Sequence, residues 1–278
     1  MKFTAVILAK TDSEASHTMT LNCINSLIAS EPQLPMEVIV VESNKQFHRS
    51  GFAFPDFVNV IVPEAEFNFH KFLNIGIIAS KGDFIALCNN DLIFGKQWFS
   101  AIQKVSEAHS DIVSFSPSGT YNPSPDKAFE LGYRVMIHLM GWCFVVKREI
   151  FTTIGLLDET FDFYYADNDY GMTLKYHNLK HAIVYGSHVE HLEKPSDAKK
   201  KAYAVDPKTF LHRYKIPTYV YKHHQSEAVL GNEKSLRGFI AYHNKWGSPA
   251  WLWRKNRLAD ILIKNNLGFL VRFFLKIK

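Results

Sequence analysis

The chain has 278 residues, of which 47% are hydrophobic, so it is long and apolar enough to form one large or two small globular domains. Its three cysteines lie far apart and match no zinc-binding spacing, which argues against a disulfide framework and predicts buried free thiols in a reducing compartment. The net charge of +5 is uneven, because residues 245–278 contain eight Lys or Arg and a single acid, which leaves the remainder mildly acidic.

Three short apolar runs in the first third of the chain predict buried β-strands. They cover residues 5–8, 38–41 and 84–88. Residues 21–28 and 69–77, which lie between these runs, place their apolar side chains at helical spacing. Strands that alternate with helices predict an α/β fold with a mostly parallel sheet, flanked by helices and joined by right-handed crossovers.

The third apolar run ends abruptly in Asn89, Asn90 and Asp91. In open α/β sheets, ligands bind beyond the carboxyl ends of the parallel strands, so these side chains are predicted to lie at the rim of a cleft. A carboxylate at such a rim suits a divalent cation that accompanies a phosphate-bearing substrate. The alternative is that the three residues only form a turn, as Asn and Asp often do.

The middle of the chain gives weaker signals. Residues 114–126 are rich in Ser, Pro and Gly and are predicted to form a loop, either over a cleft or on the surface. Residues 141–146 read as another buried strand, and residues 147–154 as a short helix. Trp142, in that strand, is expected either to stack on a sugar or to be a core aromatic.

Residues 161–170 combine five aromatic rings with three carboxylates. Aromatic faces cover the apolar side of a sugar ring, and a partly desolvated carboxylate can accept a proton from an attacking hydroxyl. Asp162, Asp167 and Asp169 are therefore candidates for carbohydrate chemistry. The alternative is that Asp167 or Asp169 caps a helix over residues 170–178, with Asp162 in a turn.

Beyond Pro195 the pattern changes to a lysine run, scattered aromatics and helical stretches, which predicts a catalytic region over residues 1–195 and a helical basic region over 196–278. A final helix is predicted to start at Ser248 and Pro249. The last ten residues are basic and amphipathic. Such an end can meet an anionic membrane or a nucleic acid, or it can pack on its own domain with a solvated basic face.

The order of these features resembles the inverting glycosyltransferases of family 2, which share the nucleotide-sugar-binding GT-A fold, a Rossmann-like fold. The resemblance covers roughly residues 3–196. The stretches that carry it are Thr11, Val41-Glu42-Ser43, Asn74-Ile75-Gly76, Gly82-Asp83, Asn89-Asn90-Asp91, Gly141, Lys147-Arg148-Glu149, Gly155-Leu156-Leu157-Asp158-Glu159, Ala166-Asp167-Asn168-Asp169, His191 and Ser196.

The resemblance implies a metal site and a catalytic base. Asp91 corresponds to the last residue of the family's Asp-x-Asp-type motif, which holds a divalent cation, Mn2+ or Mg2+, against the donor diphosphate. His191 matches the histidine that completes the metal shell, although His188 could serve instead. Asp167 matches the general base. The glutamate that normally precedes this base is replaced by Ala166, so its orienting hydrogen bond is expected to be absent or to come from Asp169 or Asp162.

The resemblance also implies a donor-binding set. Glu42 stands where an acidic residue commonly reads the uridine or ribose, and Thr11 is expected near the base. Asn89 replaces the first carboxylate of the metal motif. The full set assigned to the nucleotide-sugar donor is Thr11, Glu42, Asn74, Asn89, Asn90 and Trp142.

Together these features predict a metal-dependent inverting glycosyltransferase, hexosyl or pentosyl, that uses a nucleoside-diphosphate sugar. The expected acceptor is a glycan or a lipid-linked acceptor in bacterial surface polysaccharide assembly. Because the sequence starts without a signal peptide and has no apolar run of about 18 residues, we expect a cytoplasmic protein, peripheral at the inner face of an anionic membrane. The alternatives are a glycosyltransferase that modifies hydroxylated bases in viral DNA and a non-catalytic carbohydrate-binding relative.

Overall fold

The computed structural model describes residues 2–119, 126–192, 233–275 and 277, and its centre is a mixed β-sheet. Within those ranges the strand order is β3-β2-β1-β4-β8-β6-β9-β5, and β7 pairs with β9. The strands are β1 (Phe3–Ala9), β2 (Met36–Glu42), β3 (Val58–Ile61), β4 (Phe84–Asn89), β5 (Leu92–Phe94), β6 (Ile112–Ser118), β7 (Phe129–Leu131), β8 (Cys143–Lys147) and β9 (Lys180–His191).

The first half of the sheet is parallel, and this part agrees with the prediction. β1 pairs with β2 on one side and β4 on the other, and β2 also pairs with β3. The connections from β1 lead to β2 and β3 on one side, and the next strand, β4, lies on the other side of β1. This switch in strand order opens a crevice at the carboxyl ends of β1 and β4. The register places Ala9 beside Glu42 and Leu8 beside Asn89, so the residues that follow β1, β2 and β4 lie at one edge of the sheet.

The predicted helices are present with adjusted bounds. The helices are α1 (Glu14–Ser30), α2 (Phe69–Ala79), α3 (Trp98–Ala108), α4 (Ile150–Ile154), α5 (Ala166–Tyr176), α6 (Glu233–Trp246) and α7 (Pro249–Lys264), followed by a 3-10 helix at Gly268–Phe273. α7 begins with Pro in its first turn after Ser248, as predicted. Together with the sheet, these helices confirm the predicted α/β fold class.

The prediction of a loop over residues 114–126 was wrong at its start. Residues 114–118 belong to strand β6, while residues 120–125 lie outside the described part of the chain. Three serines in the strand are buried because each hydroxyl has a partner. Ser114 bonds Tyr170 and His181, Ser116 accepts from the Met140 N–H, and Ser118 donates to carbonyl groups of β9. Paired hydroxyls remove the cost of burying them.

Both faces of the sheet are covered by hydrophobic clusters. Residues of α6, α7 and the 3-10 helix share one cluster with β1, β2, β4 and β8; among them Tyr242, Trp246, Leu252 and Ile263 are almost fully buried. The described C-terminal helices therefore pack onto the sheet domain. The boundary near residue 195 lies at the edge of an undescribed segment and stays a prediction.

The three cysteines are buried and free, and the Sγ atoms of Cys88 and Cys143 lie 3.7 Å apart across β4 and β8. In the ranges described above, no helix has both the length and the apolar content needed to cross a membrane.

Candidate active site

A cavity of about 460 Å³ opens at the carboxyl edge of β1 and β4. Its walls include Leu8 and Ala9 at the end of β1 and Asn89, Asn90 and Asp91 at the end of β4. Three lysines also line it: Lys10, Lys45 and Lys234. Cations around a crevice at this edge suit a phosphate-bearing ligand.

A second cavity of about 320 Å³ adjoins the first. The two share Phe69, Asn89 and Phe163 as lining residues, so they are two parts of one cleft. The second part is lined by the other predicted site residues, Trp142, Asp167 and His191, together with Gly141. The fold thus brings Asp91 and Asp167, which are far apart in sequence, to one hollow.

His191 is the histidine that lies beside Asp91. Its Nε2 is 3.3 Å from Asp91 Oδ1, because β5, which follows Asp91, pairs antiparallel with the end of β9. Residues three apart on a strand face opposite sides, and His188 is exposed. The ring of Trp142 stacks on His191 with 5.4 Å between ring centroids and 6° between planes. Trp142 therefore fixes the orientation of His191, and this face of the indole is not open to a sugar.

Asp91 has an atom that fits a bound cation. Its Oδ1 is buried and accepts no hydrogen bond from the described residues, and the neighbouring imidazole is its nearest ionic partner. A buried carboxylate oxygen without a partner is costly unless something positive meets it. Among the residues the structure describes, no group of three or more His, Cys, Asp or Glu is arranged to hold a metal. A cation here would use two protein ligands and take the rest from phosphate and water, as Mg2+ commonly does.

Asp167 lies in the first turn of α5, which begins at Ala166. The alternative of an Asp cap on a helix over 170–178 was therefore wrong, because the helix starts four residues earlier and its N-cap is Tyr165. Burial raises the pKa of the Asp167 carboxyl, opposed by the N–H of Asn168, which donates to Oδ1 at 2.8 Å. Such a carboxylate is a better proton acceptor than an exposed one.

Ala166 lines the second part of the cleft, and its methyl group can offer no orienting hydrogen bond to Asp167. The two substitutes considered from the sequence have other partners. Asp169 is buried, accepts a hydrogen bond from Trp246 Nε1 at 2.7 Å and pairs with Lys245 at 2.8 Å. Asp162 lies 4.0 Å from Arg237.

Sequence reasoning missed the residues of α6 that support the segment that carries Asp167. Lys245 joins Asp158 and Asp169, and the ring of Tyr242 packs on Tyr165 with 5.4 Å between centroids. Tyr165 has a φ of 67°, a conformation that is unfavourable for a bulky residue and is held here by these contacts. The apolar spacing of Leu236, Phe239, Tyr242 and Trp246 is a helical signal that would have placed one face of α6 against the core.

Thr11 and Glu42 form a buried pair at the edge of β1. Glu42 accepts hydrogen bonds from the Thr11 N–H and hydroxyl and from the Asn44 N–H, with the hydroxyl bond at 2.7 Å. Neither side chain is exposed. Their contact in this structure fixes the loop after β1, and direct contact with a nucleotide stays a prediction. Asn90 donates to the Thr20 hydroxyl at 2.8 Å and keeps its place in the cavity wall.

Asn74 is not where the donor-binding prediction placed it. Its side chain is 2% exposed, donates to the Leu157 carbonyl and accepts from the Leu157 N–H. These bonds tie α2 to the loop after α4, and Asn74 lines neither part of the cleft. We therefore correct its role to a structural one, because a buried amide with both functions paired has nothing to offer a ligand.

Residues 16–164 match the family model described as Glycosyl transferase family 2, which is more than half of the chain. The chain belongs to glycosyl transferase family 2. The matched region runs from α1 to the aromatic segment before α5, so it includes Asp91 and the wall formed by Gly141 and Trp142. Asp167 lies just beyond it, and His191 lies further along the chain, at the end of β9. A search of curated proteins found no match.

Solved structures with the same fold agree with this family. A crystal structure of GalNAc-T7 with UDP, GalNAc and Mn2+ superimposes with a TM-score of 0.58 at 15% identity over 94% of this chain. S. aureus TarS 1-349 in complex with UDP-GlcNAc gives a TM-score of 0.51 at 16% identity over 76% of this chain. The chain spans 57% and 64% of those two structures, respectively. At these identities the likeness establishes a GT-A fold for this family 2 chain.

Proposed function

We propose that the chain is a metal-dependent inverting glycosyltransferase that moves a sugar from a nucleoside-diphosphate sugar to an acceptor hydroxyl. The observation that carries this proposal is the shared cleft, with Asp91 and His191 in contact and Asp167 lining the adjoining part. Family membership supports the reaction class, and the cleft supports the assignment of residues.

The proposed chemistry divides the work between the two carboxylates. In an inverting transfer the acceptor oxygen bonds to the anomeric carbon as the bond from that carbon to the diphosphate breaks, and the acceptor proton must leave. Asp167 accepts this proton, a role worth about 10² to 10⁴ in rate. Asp91 and His191 would hold the divalent cation, which when bound stabilises the negative charge of the diphosphate. Lys10 and Lys45 line the same wall, where they pair with Asp12 at 3.0 Å and Glu66 at 2.6 Å.

The donor is proposed to be a UDP-sugar, because the GT-A neighbours were crystallised with UDP and with UDP-GlcNAc. For the acceptor, we propose a glycan or lipid-linked acceptor in bacterial surface polysaccharide assembly, met at the cytoplasmic face of the membrane. The direct experiment incubates the chain with a panel of nucleotide sugars, with and without Mn2+, and measures release of the nucleoside diphosphate. Metal-dependent release from one donor is expected, and no release from any donor would contradict the proposal.

Asp91→Asn should weaken the response to Mn2+. The amide keeps the shape of the side chain but removes the negative charge that faces the cation, so the apparent Mn2+ affinity should fall by at least about tenfold, as weakened metal sites do. The measurement is the melting temperature of the chain with UDP-GlcNAc over a Mn2+ titration. The matched control is Asp56→Asn, the same change in an exposed turn. Identical Mn2+ curves for the two variants would show that Asp91 is not a ligand.

Gly141→Ala should displace the proposed base. An added Cβ at residue 141 would lie 2.8 Å from Asp167 Oδ2 and 3.0 Å from its Cβ, which is too close for both to stay in place. A small misplacement of a reacting group can cost up to about 100-fold, so we expect nucleotide release to slow by about ten- to hundredfold. Gly186→Ala is the matched control, since its added Cβ would make an ordinary 3.6 Å contact with Ala101. Equal rates for the two variants would contradict the prediction.

A further inference from the structure

Helix α7 attaches to the core by one face and presents a mixed apolar and basic face to solvent. Leu252, Ala259 and Ile263 are buried on the attached face. On the other side, an exposed stripe runs through Trp251, Arg254, Leu258 and Ile261, at helical spacings of three and four residues. Trp251 is 63% exposed and Ile261 52%. Large apolar side chains held this far out of the core mark an interaction surface.

The exposed apolar character continues beyond α7. In the following 3-10 helix, Phe269 is 51% and Phe273 69% exposed, whereas Val271 is fully buried. The sequence pattern predicted an apolar side that could pack on the domain. In the structure Val271 is packed inside, whereas Arg272 and the two phenylalanine rings are exposed. We use the name C-terminal surface for the half-buried Lys255 and the exposed residues Trp251, Trp253, Arg254, Arg257, Leu258, Ile261, Lys264, Phe269, Arg272 and Phe273.

The charge of the C-terminal surface has one sign. Asp260 is the only acid after residue 244, and it pairs with the buried Lys175 at 2.6 Å. Among the residues the structure describes, none of the five cations in the C-terminal surface forms an ion pair with an acid. Two of them instead lie over tryptophan rings: Arg254 is 5.9 Å from Trp251 and Arg257 5.7 Å from Trp253. Indole rings and guanidinium groups are thus presented together.

An anionic lipid bilayer fits this combination. Indole rings prefer the boundary between headgroups and acyl chains, cations bind the lipid phosphates, and aliphatic side chains such as Leu258 and Ile261 enter the acyl region. A nucleic acid would bind the cations and stack on the tryptophans, but it offers no apolar phase for the aliphatic pair. The core of a protein interface is depleted in charge, unlike this surface.

We propose that the C-terminal surface docks the protein on anionic membranes, with α7 lying along the bilayer interface. This inference goes beyond the transfer reaction, because docking requires neither the metal site nor Asp167. It also predicts which residues carry each part of the affinity: the aromatic and aliphatic residues through burial, and the cations at about fivefold in partitioning for each one removed.

The test is flotation of the full chain with vesicles of phosphatidylcholine and phosphatidylglycerol, against phosphatidylcholine alone. Binding is expected to the anionic vesicles only. Arg254→Gln with Arg257→Gln should weaken it by about 25-fold, the product of two such losses. Lys96→Gln with Lys104→Gln, which removes the same charge from exposed positions near and in α3, should leave it unchanged.

A second pair of variants separates lipid from nucleic acid. Leu258→Ser with Ile261→Ser should lower vesicle binding at least tenfold while all charges remain, and melting curves check that both variants fold. Binding of duplex DNA, measured across salt, is the competing outcome. The proposal is overturned if the wild-type chain ignores anionic vesicles, if the serine variant floats like wild type, or if the chain binds DNA more tightly than vesicles. None of these results depends on a donor, so they leave the proposed transferase function to its own tests.

Discussion

Asp167→Asn should lower the rate of sugar transfer by about 10² to 10⁴-fold and leave donor binding intact. The amide has the same shape as the carboxylate and can still accept the hydrogen bond from the Asn168 N–H, so the start of α5 should keep its structure. It cannot accept the proton of the acceptor hydroxyl at neutral pH. The measurement is the initial rate of UDP release from the active donor, with donor affinity taken from thermal stabilisation.

Two further readouts separate loss of the base from general damage to the site. Asp162→Asn is the matched control in the same segment, and it should keep its rate. The pH profile gives the second readout: because burial raises the pKa of Asp167, the wild-type rate should fall, as pH is lowered, at a higher pH than an ordinary aspartate would give. The residual rate of Asp167→Asn should not show this fall as pH is lowered. A wild-type rate in the variant would remove Asp167 as the base.

The parallel half of the fold could be predicted from sequence because its signals are local. β1, β2 and β4 are continuous apolar runs, as expected for strands covered on both faces. Once these strands are parallel, their carboxyl ends share an edge, and the polar residues after each strand fall together. This is why Asn89, Asn90 and Asp91 line the cleft at the edge where the sequence placed them.

The errors arose where a residue's environment depends on distant partners. Ser114 and Ser116 resemble loop residues in sequence. They are acceptable in a buried strand because Ser114 bonds Tyr170 and His181, and Ser116 accepts from the Met140 N–H. Asn74 carries a family motif, but its amide is used by a backbone segment more than 80 residues later. Spacing within a motif does not specify such long-range partners.

The contacts that support the segment around Asp167 were missed for the same reason. Replacing the family's glutamate by Ala166 suggested a weakened base, and the sequence offered two nearby aspartates as substitutes. The structure uses Asp169 differently, as the buried acceptor for Lys245 and Trp246 of α6. α6 is thus bonded to α5, the helix that carries Asp167. The described C-terminal region therefore helps to hold the candidate site in place.

Trp246→Ala should destabilise the whole chain by about 3–5 kcal/mol, the usual cost of removing a fully buried large aromatic side chain. The indole is 1% exposed and packs in the cluster that includes strands β1 and β4. Its loss also removes the N–H that satisfies Asp169, whose pKa is raised by burial despite the opposing Lys245. The free energy of unfolding in urea is the measurement, followed by far-UV circular dichroism.

Trp251→Ala is the matched control, since the same side chain is deleted five residues later, where it is 63% exposed. Surface substitutions usually change stability by less than about 0.5 kcal/mol, so the free energy of unfolding of this variant should be close to that of the wild type. If Trp246→Ala also had the wild-type free energy of unfolding, the C-terminal helices would not be packed on the sheet. If Trp246→Ala is instead destabilised and still unfolds in a single cooperative transition, α6 and the sheet fold as one unit. Removing one side chain of α6 then lowers the stability of both.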